Sequence, residues 1–110
     1  MSAPAGSVEA FPRRGGSLHA EELPLAQIAD AVGTPCFVYS ASALRAGYEA
    51  LERAFQGVPH LLCYALKANM NLAVVRTLVA QGAGADVTSG GELFRALRAG
   101  APASRIVYAG

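Results

Sequence analysis

Apolar runs begin near residues 36, 61, 84 and 105, one every 21 to 25 residues, with helical patterns between them. No other feature restricts the fold so strongly. Strand–helix units of this length, repeated in sequence, build parallel sheets with right-handed crossovers, so the chain reads as an α/β protein. The runs are Cys36–Tyr39, Leu61–Leu66, Ala85–Thr88 and Arg105–Ala109. The second has no polar alternation, as expected of a parallel strand covered on both faces. Helices are predicted at about 42–55, 72–81 and 91–99. Leu44, Tyr48, Leu51 and Phe55 make one stripe at helical spacing, and Leu72, Val75, Leu78 and Val79 make another.

Ahead of these units the chain changes character. Residues 1–7 are small and rich in Pro and Gly and are expected to be loosely held. Val8–Phe11 and Ser17–Ala20 read as two short extended pieces around the turn Arg13-Arg14-Gly15-Gly16. Pro24 suits the start of a short helix, Leu25–Val32, and Gly33 suits its end. The expected division is therefore an arm, residues 1–33, followed by the repeating units, residues 34–110.

Two parallel architectures fit the repeat, the open doubly wound sheet and the closed eight-stranded barrel, and periodicity does not choose between them. A barrel takes about 250 residues, so on that reading the chain of 110 holds half of one. Composition points the same way. The chain is 53% apolar and 15% charged, where ordinary domains carry about a quarter charged residues. Such a surplus implies apolar surface meant to be covered. A last strand with no helix after it adds to the expectation of an incomplete chain.

Several function classes drop out early. The net charge of +1 and the absence of a basic cluster beyond Arg13-Arg14 give no electrostatic case for nucleic acid or anionic membrane. Apolar runs stop after about six residues where a membrane span needs roughly 20, and the first residues lack the pattern of a secretory signal. Cys36 and Cys63 lie in apolar runs and read as free, buried thiols of a cytoplasmic protein. Neither cysteine stands at zinc spacing from a histidine. His19 and His60 have no partner at metal or triad spacing and read as surface or turn residues. The glycines at 82 and 84 lack the third glycine of a dinucleotide fingerprint.

What remains is one amine. Lys67 is the only lysine, against eight arginines, and it ends the apolar run "LLCYALKAN". It falls where a parallel strand gives way to its loop, the end at which such folds bind ligands. A capping, snorkelling lysine is the plain reading. The chemical reading needs an amine in particular, because arginine stays protonated while a partly desolvated lysine can shed its proton and attack a carbonyl. Asp86 lies inside the third run, on one face with Thr88 and opposite Val87. A carboxylate there is costly unless paired or used, and Lys67 on the adjacent strand is the expected partner. Ser89-Gly90-Gly91-Glu92 matches a capping box at the start of the third helix. Glu92 is thus a cap residue, a site residue, or both. The N–H groups of Ser89, Gly90 and Gly91 also suit an anion, although a helix start alone is a weak signal. Asn69 and Asn71 are candidate caps of the second helix. Tyr39 and Tyr64 read as core residues.

The stretches "GTPCFVYS" (33–40), "YALKANMN" (64–71), "GAGADVTSGGELFRAL" (82–97) and "RIVYAG" (105–110) resemble the bacterial diaminopimelate decarboxylase family. That family belongs to the alanine-racemase-like, fold-type-III enzymes that use pyridoxal phosphate. The resemblance covers about residues 18–110. The lysine motif is shared in looser form with ornithine and arginine decarboxylases, and the Asp-Val-x-Ser-Gly-Gly-Glu motif narrows it to the diaminopimelate branch.

The resemblance implies the first half of a (β/α)8 barrel, truncated after its fourth strand, with residues 8–22 contributing to a separate β domain. It implies that Lys67 holds pyridoxal 5'-phosphate through a Schiff base, that Asp86 lies close to the cofactor, and that Glu92 lies near the same pocket. It implies decarboxylation of meso-2,6-diaminopimelate to L-lysine and CO2, the last step of lysine biosynthesis, in a cytoplasmic homodimer. The family's glycine-rich phosphate loop, ring-stacking histidine, ring-nitrogen glutamate and partner-supplied cysteine match nothing in these residues. The 110-residue polypeptide alone is therefore expected to be inactive and poorly folded. An ornithine- or arginine-type decarboxylase, or a non-catalytic cofactor-binding homologue, are the alternatives.

Overall fold

The computed structural model describes residues 9–110. The expectation for residues 1–7, and Val8 of the first extended piece, lie outside them. A two-residue strand β1 (Arg13–Arg14) turns through Gly15-Gly16 into β2 (Ser17–Ala20), which pairs in turn with β3 (Leu23–Pro24), all antiparallel. The first arm of the hairpin is thus Arg13–Arg14, not Val8–Phe11. The turn sets the register: Gly15 and Gly16 both take positive φ (59° and 83°), as a two-residue hairpin loop requires. Arg13 is consequently opposite Leu18. Helix α1 (Leu25–Val32) follows from Pro24 and stops at Gly33, as predicted, and packs against β2 and β3.

Residues 34–110 supply the α/β part. Helix α2 (Ala41–Ala54) is capped by Ser40, whose Oγ accepts the Ala43 N–H at 3.1 Å. Then come β4 (Cys63–Ala65), a single 3₁₀ turn (Leu66–Ala68), α3 (Leu72–Ala80), β5 (Gly84–Val87), α4 (Gly90–Arg98) and β6 (Ile106–Tyr108). The sheet is parallel in the order β4-β5-β6, with Ala65 beside Asp86 and Asp86 beside Val107.

One predicted strand is absent. Cys36–Tyr39 joins no ladder among the described residues; Phe37 is 89% exposed, and Cys36 and Tyr39 are exposed too. Neither a buried Cys36 nor a core Tyr39 is therefore found. Sequence marks a run as strand-like, but only a hydrogen-bonded neighbour makes it one.

Alternation along the sheet separates two environments. Ala85 and Val87 point toward the helices and, with Leu66, Val75, Ala96, Ala99 and Ala101, form one buried cluster. Val74, Leu78 and Ala83 form a second, against which Leu44, Tyr48 and Tyr64 pack. The core is largely alanine, so α4 approaches the sheet closely. Of the stripe Leu44, Tyr48, Leu51 and Phe55, the first two pack against the core, while Leu51 and Phe55 are exposed. Phe94 and Tyr108 are also among the large apolar side chains left in solvent, in line with the apolar surplus.

The connection from α2 to β4 is tied by His60. Its Nδ1 lies 2.7 Å from the Val58 carbonyl oxygen and its Nε2 3.1 Å from Glu52 Oε2, while the Tyr48 hydroxyl donates to Glu52 Oε1. Both ring nitrogens face acceptors, so only the imidazolium, with two N–H groups, serves both. The Val58 carbonyl bond chiefly, with Glu52 assisting, raises the His60 pKa above its ordinary 6.5. A raised folded-state value means that the stabilisation is fully present below about pH 6.5 and fades as pH climbs through the folded-state pKa. His60→Phe keeps a ring against Phe55 (centroids 5.4 Å apart) and removes the charge. The deficit of its thermal midpoint relative to wild type is expected at pH 5.5 and largely gone at pH 8.5. An equal deficit at both pH values would refute the charged tie.

Candidate active site

The side of the sheet away from the helices carries Cys63 and Ala65 of β4, Asp86 of β5 and Val107 of β6. At its C-terminal edge the chain leaves β4 through the 3₁₀ turn. Leu66 is wholly buried, and the next residue, Lys67, is exposed. The turn packs against both β5 and α4. Beyond it the Tyr64 hydroxyl donates to the Asn69 carbonyl at 2.8 Å, Asn69 Oδ1 accepts the Asn71 N–H, and Asn71 Oδ1 caps α3 by accepting from Ala73 N–H. The segment on either side of Lys67 is thereby fixed while its amine stays free.

Asp86 is half-buried on the same side of the sheet, and its Oδ1 is buried with no hydrogen-bond partner. The expected Lys67–Asp86 ion pair is not formed; among the described residues the one ion pair is His60–Glu52. Register explains this. Asp86 stands level with Ala65, the last residue of the β4–β5 ladder, whereas Lys67 comes two residues later, inside the 3₁₀ turn and outside the ladder. Asp86 instead acts on Cys63, whose thiol pKa is raised by burial first and by the Asp86 charge second.

Glu92 is 6% exposed, although it opens a helix. Its Oε2 accepts from the Thr88 N–H (3.2 Å), the Thr88 hydroxyl and the Ser89 hydroxyl (3.2 Å), while Ser89 Oγ accepts the Glu92 N–H at 3.1 Å. The predicted capping box is present in shifted form: the carboxylate reaches back to the N–H of Thr88, one residue before the cap. The Thr88 hydroxyl, foremost, holds the Glu92 pKa below its ordinary value; the Thr88 N–H, Ser89 and the Lys67 charge act in the same direction. Glu92 Oε1 is buried and unpartnered. The Glu92 carboxylate takes the Thr88 N–H, and none of the Ser89, Gly90 and Gly91 N–H groups is among its donors. Thr88 was missed as a partner of Glu92. Its signal was available as a hydroxyl directly preceding the S-x-x-E pattern.

The donor set fits a carbonyl cofactor that carries a cationic centre. It offers one exposed primary amine on a fixed turn, and two carboxylates that each keep a buried oxygen without a donor. It does not suit a metal, since no group of His, Cys, Asp and Glu that could hold one occurs among the described residues. Nor is any helix among them long and apolar enough to cross a membrane.

Residues 41–110 match the family described as pyridoxal-dependent decarboxylase, pyridoxal binding domain, and the chain belongs to that family. Within it, the chain is 48% identical over 103 residues to a Pseudomonas fluorescens protein named diaminopimelate decarboxylase, covering 94% of this chain and 25% of that one. An Aquifex aeolicus protein of the same name is 47% identical over 97 residues, covering 88% and 23%. Among solved structures, one from Aquifex aeolicus superposes with a TM-score of 0.85 at 46% identity, over 92% of this chain and 25% of its own. The diaminopimelate decarboxylase of M. jannaschii in complex with L-lysine gives 0.81 at 33% identity, covering 94% and 25%. The chain spans about a quarter of the length of the curated relatives it matches.

Proposed function

We propose that the complete gene product is a pyridoxal-phosphate-dependent decarboxylase that converts meso-2,6-diaminopimelate to L-lysine and CO2. One observation carries the reading: the sole lysine is exposed on a strand-end turn beside two carboxylates that each retain an unpartnered buried oxygen. The substrate is supported by relatives named for it, and by a solved relative that holds L-lysine.

In this reading residues 34–110 are the first half of a (β/α)8 barrel, and residues 1–33 are an arm that joins a β domain. The enzyme works as a homodimer in the cytoplasm. Bound pyridoxal phosphate supplies an electron sink for the pair left behind when CO2 departs. The protein's part is placement. Lys67 holds the cofactor covalently through its amine, the only primary side-chain amine of the chain. Asp86 Oδ1 and Glu92 Oε1 accept N–H groups from the cationic species brought to the site, which relieves their buried, unpartnered state. The helix-side clusters leave the other side of the sheet to the reactants.

The deciding measurement is CO2 release by the complete gene product, supplied with cofactor, from meso-diaminopimelate, ornithine and arginine. Diaminopimelate is expected to be preferred by about a hundredfold or more in kcat/KM, with L-lysine as product. Preference for ornithine or arginine would move the protein to that branch. The 110-residue chain alone is expected to form no lysine.

A further inference from the structure

The chain just after Lys67 is held in a way that helix capping and sheet pairing do not account for. Only Asn69 and Met70 separate the 3₁₀ turn Leu66–Ala68 from Asn71, the cap of α3. Backbone carbonyls are obligatory acceptors, and these two lie outside any helix or ladder. Side chains from two flanking elements take both. The Tyr64 hydroxyl, on β4, donates to the Asn69 carbonyl at 2.8 Å, and the Arg95 guanidinium, on α4, donates to the Met70 carbonyl at 3.2 Å.

Tyr64 is the firmer of the two holds. Its ring packs against both buried clusters, so the hydroxyl is presented from a fixed base. A phenylalanine would fill the same space, and only the hydroxyl reaches the loop. Burial raises the Tyr64 pKa above its ordinary value, which keeps the O–H donor intact across the neutral range. The bond from Tyr64 to Asn69 closes a ring of chain around Ala65, Leu66, Lys67 and Ala68. Within that ring Leu66 is wholly buried and Lys67 is exposed. The backbone of Lys67 is thus pinned by packing just before it and by hydrogen bonds just after it.

Resting on the cofactor reading above, we propose that Tyr64 and Arg95 are positioning residues for Lys67. They hold consecutive carbonyls of its loop from two different elements, so the backbone that carries the amine is set before the cofactor arrives. Neither side chain acts on the reacting atoms. Their contribution is preorganisation, since a reacting group already in place needs no further ordering during the reaction.

The test measures amide hydrogen exchange, in the complete gene product stripped of cofactor, for the peptide spanning residues 65–71. Tyr64→Phe keeps the ring and loses a hydrogen bond of ordinary net strength, so exchange in this peptide is expected to rise about fivefold. Arg95→Met removes a more exposed donor and is expected to raise it about twofold. Tyr48→Phe is the control. It also loses a tyrosine hydroxyl bond, to Glu52 on α2, but none to this loop, and should leave the peptide at the wild-type rate. With cofactor and diaminopimelate, Tyr64→Phe is expected to lower kcat about tenfold while KM holds, as when a reacting group is misplaced but substrate still binds. A hydroxyl that served stability alone would leave kcat unchanged.

Unchanged exchange in both Tyr64→Phe and Arg95→Met overturns the proposal. So does an equal rise in Tyr48→Phe, or a wild-type kcat in Tyr64→Phe. Should Tyr64→Phe not fold, Arg95→Met decides alone, because Arg95 is exposed and its loss leaves the core intact. The exchange readout needs no cofactor, so it stands apart from the decarboxylase reading. That reading fails separately, if borohydride reduction of the cofactor-loaded protein leaves no pyridoxyl group on Lys67.

Discussion

Replacing Lys67 with arginine in the complete gene product is expected to lower lysine formation by about a thousandfold or more. Borohydride reduction of that variant, loaded with cofactor, should leave no pyridoxyl group on the peptide spanning residues 61–76. The charge is retained, and the side chain is of similar length, so the exposed turn tolerates the change. What is lost is an amine able to shed its proton, because a guanidinium stays protonated throughout the working range. No second lysine exists in these residues to substitute for it. A variant that keeps more than a tenth of wild-type turnover, or a label found elsewhere in the wild-type protein, would end the assignment.

Gly84→Ala should have the largest effect on stability of any single methyl added to the sheet. A Cβ at Gly84 would lie 2.6 Å from the Arg105 carbonyl oxygen and 2.8 Å from Cys63 Sγ. The first is backbone leading into β6 and the second belongs to β4, so the methyl is pinched between both neighbours of the central strand. Relief requires moving a strand whose own carbonyls are committed, as where the Gly84 N–H donates to the Leu62 carbonyl at 2.8 Å. The Gly82 carbonyl, bonded by the Arg105 guanidinium, holds the same corner. Overpacking of this kind costs about 1–3 kcal/mol, which should appear as a lowered thermal midpoint and a smaller soluble yield. Gly47 is the control: it is mid-helix in α2 with nothing within 4 Å of an added Cβ. Gly47→Ala should be neutral or gain roughly 0.5–1 kcal/mol. Equal behaviour of the two variants would refute the steric argument.

These two residues show what a sequence makes plain and what it hides. Helices were legible to within a residue or so, because their limits are set locally. Ser40, Asn71 and Ser89 each accept a backbone N–H at a helix start, and Gly33 and Gly100 follow helix ends. Strands were less so. Cys36–Tyr39 has the composition of a strand without a ladder, and Leu61–Leu66 shrinks to Cys63–Ala65 before the 3₁₀ turn. Pairing depends on residues far away in sequence, and no local pattern encodes it. At the site, Lys67 stood out by its rarity and Glu92 by its capping pattern. Their relation to Asp86 did not, because it turns on β4 giving way to the 3₁₀ turn at Leu66, beyond the last pair of the β4–β5 ladder. The Thr88 hydroxyl was overlooked although it directly precedes the S-x-x-E pattern, since a threonine at a strand end is commonplace until its partner is seen.

The buried Leu66 beside an exposed Lys67 also has a kinetic consequence. On the proposed reading Lys67 attaches to cofactor and detaches in every cycle, so it must travel, and the distance could be covered by the backbone or by the side chain. Here the residue behind it is wholly buried, so the travel falls on the side-chain torsions, whose ordering costs about 2 kcal/mol. Exposed rotamers interconvert in picoseconds to nanoseconds, whereas enzymes turn over at about 10 per second. On that reading the swing of this arm is many orders of magnitude too quick to be the slow step, and a rate limit at the site would lie in bond-making, release or closure.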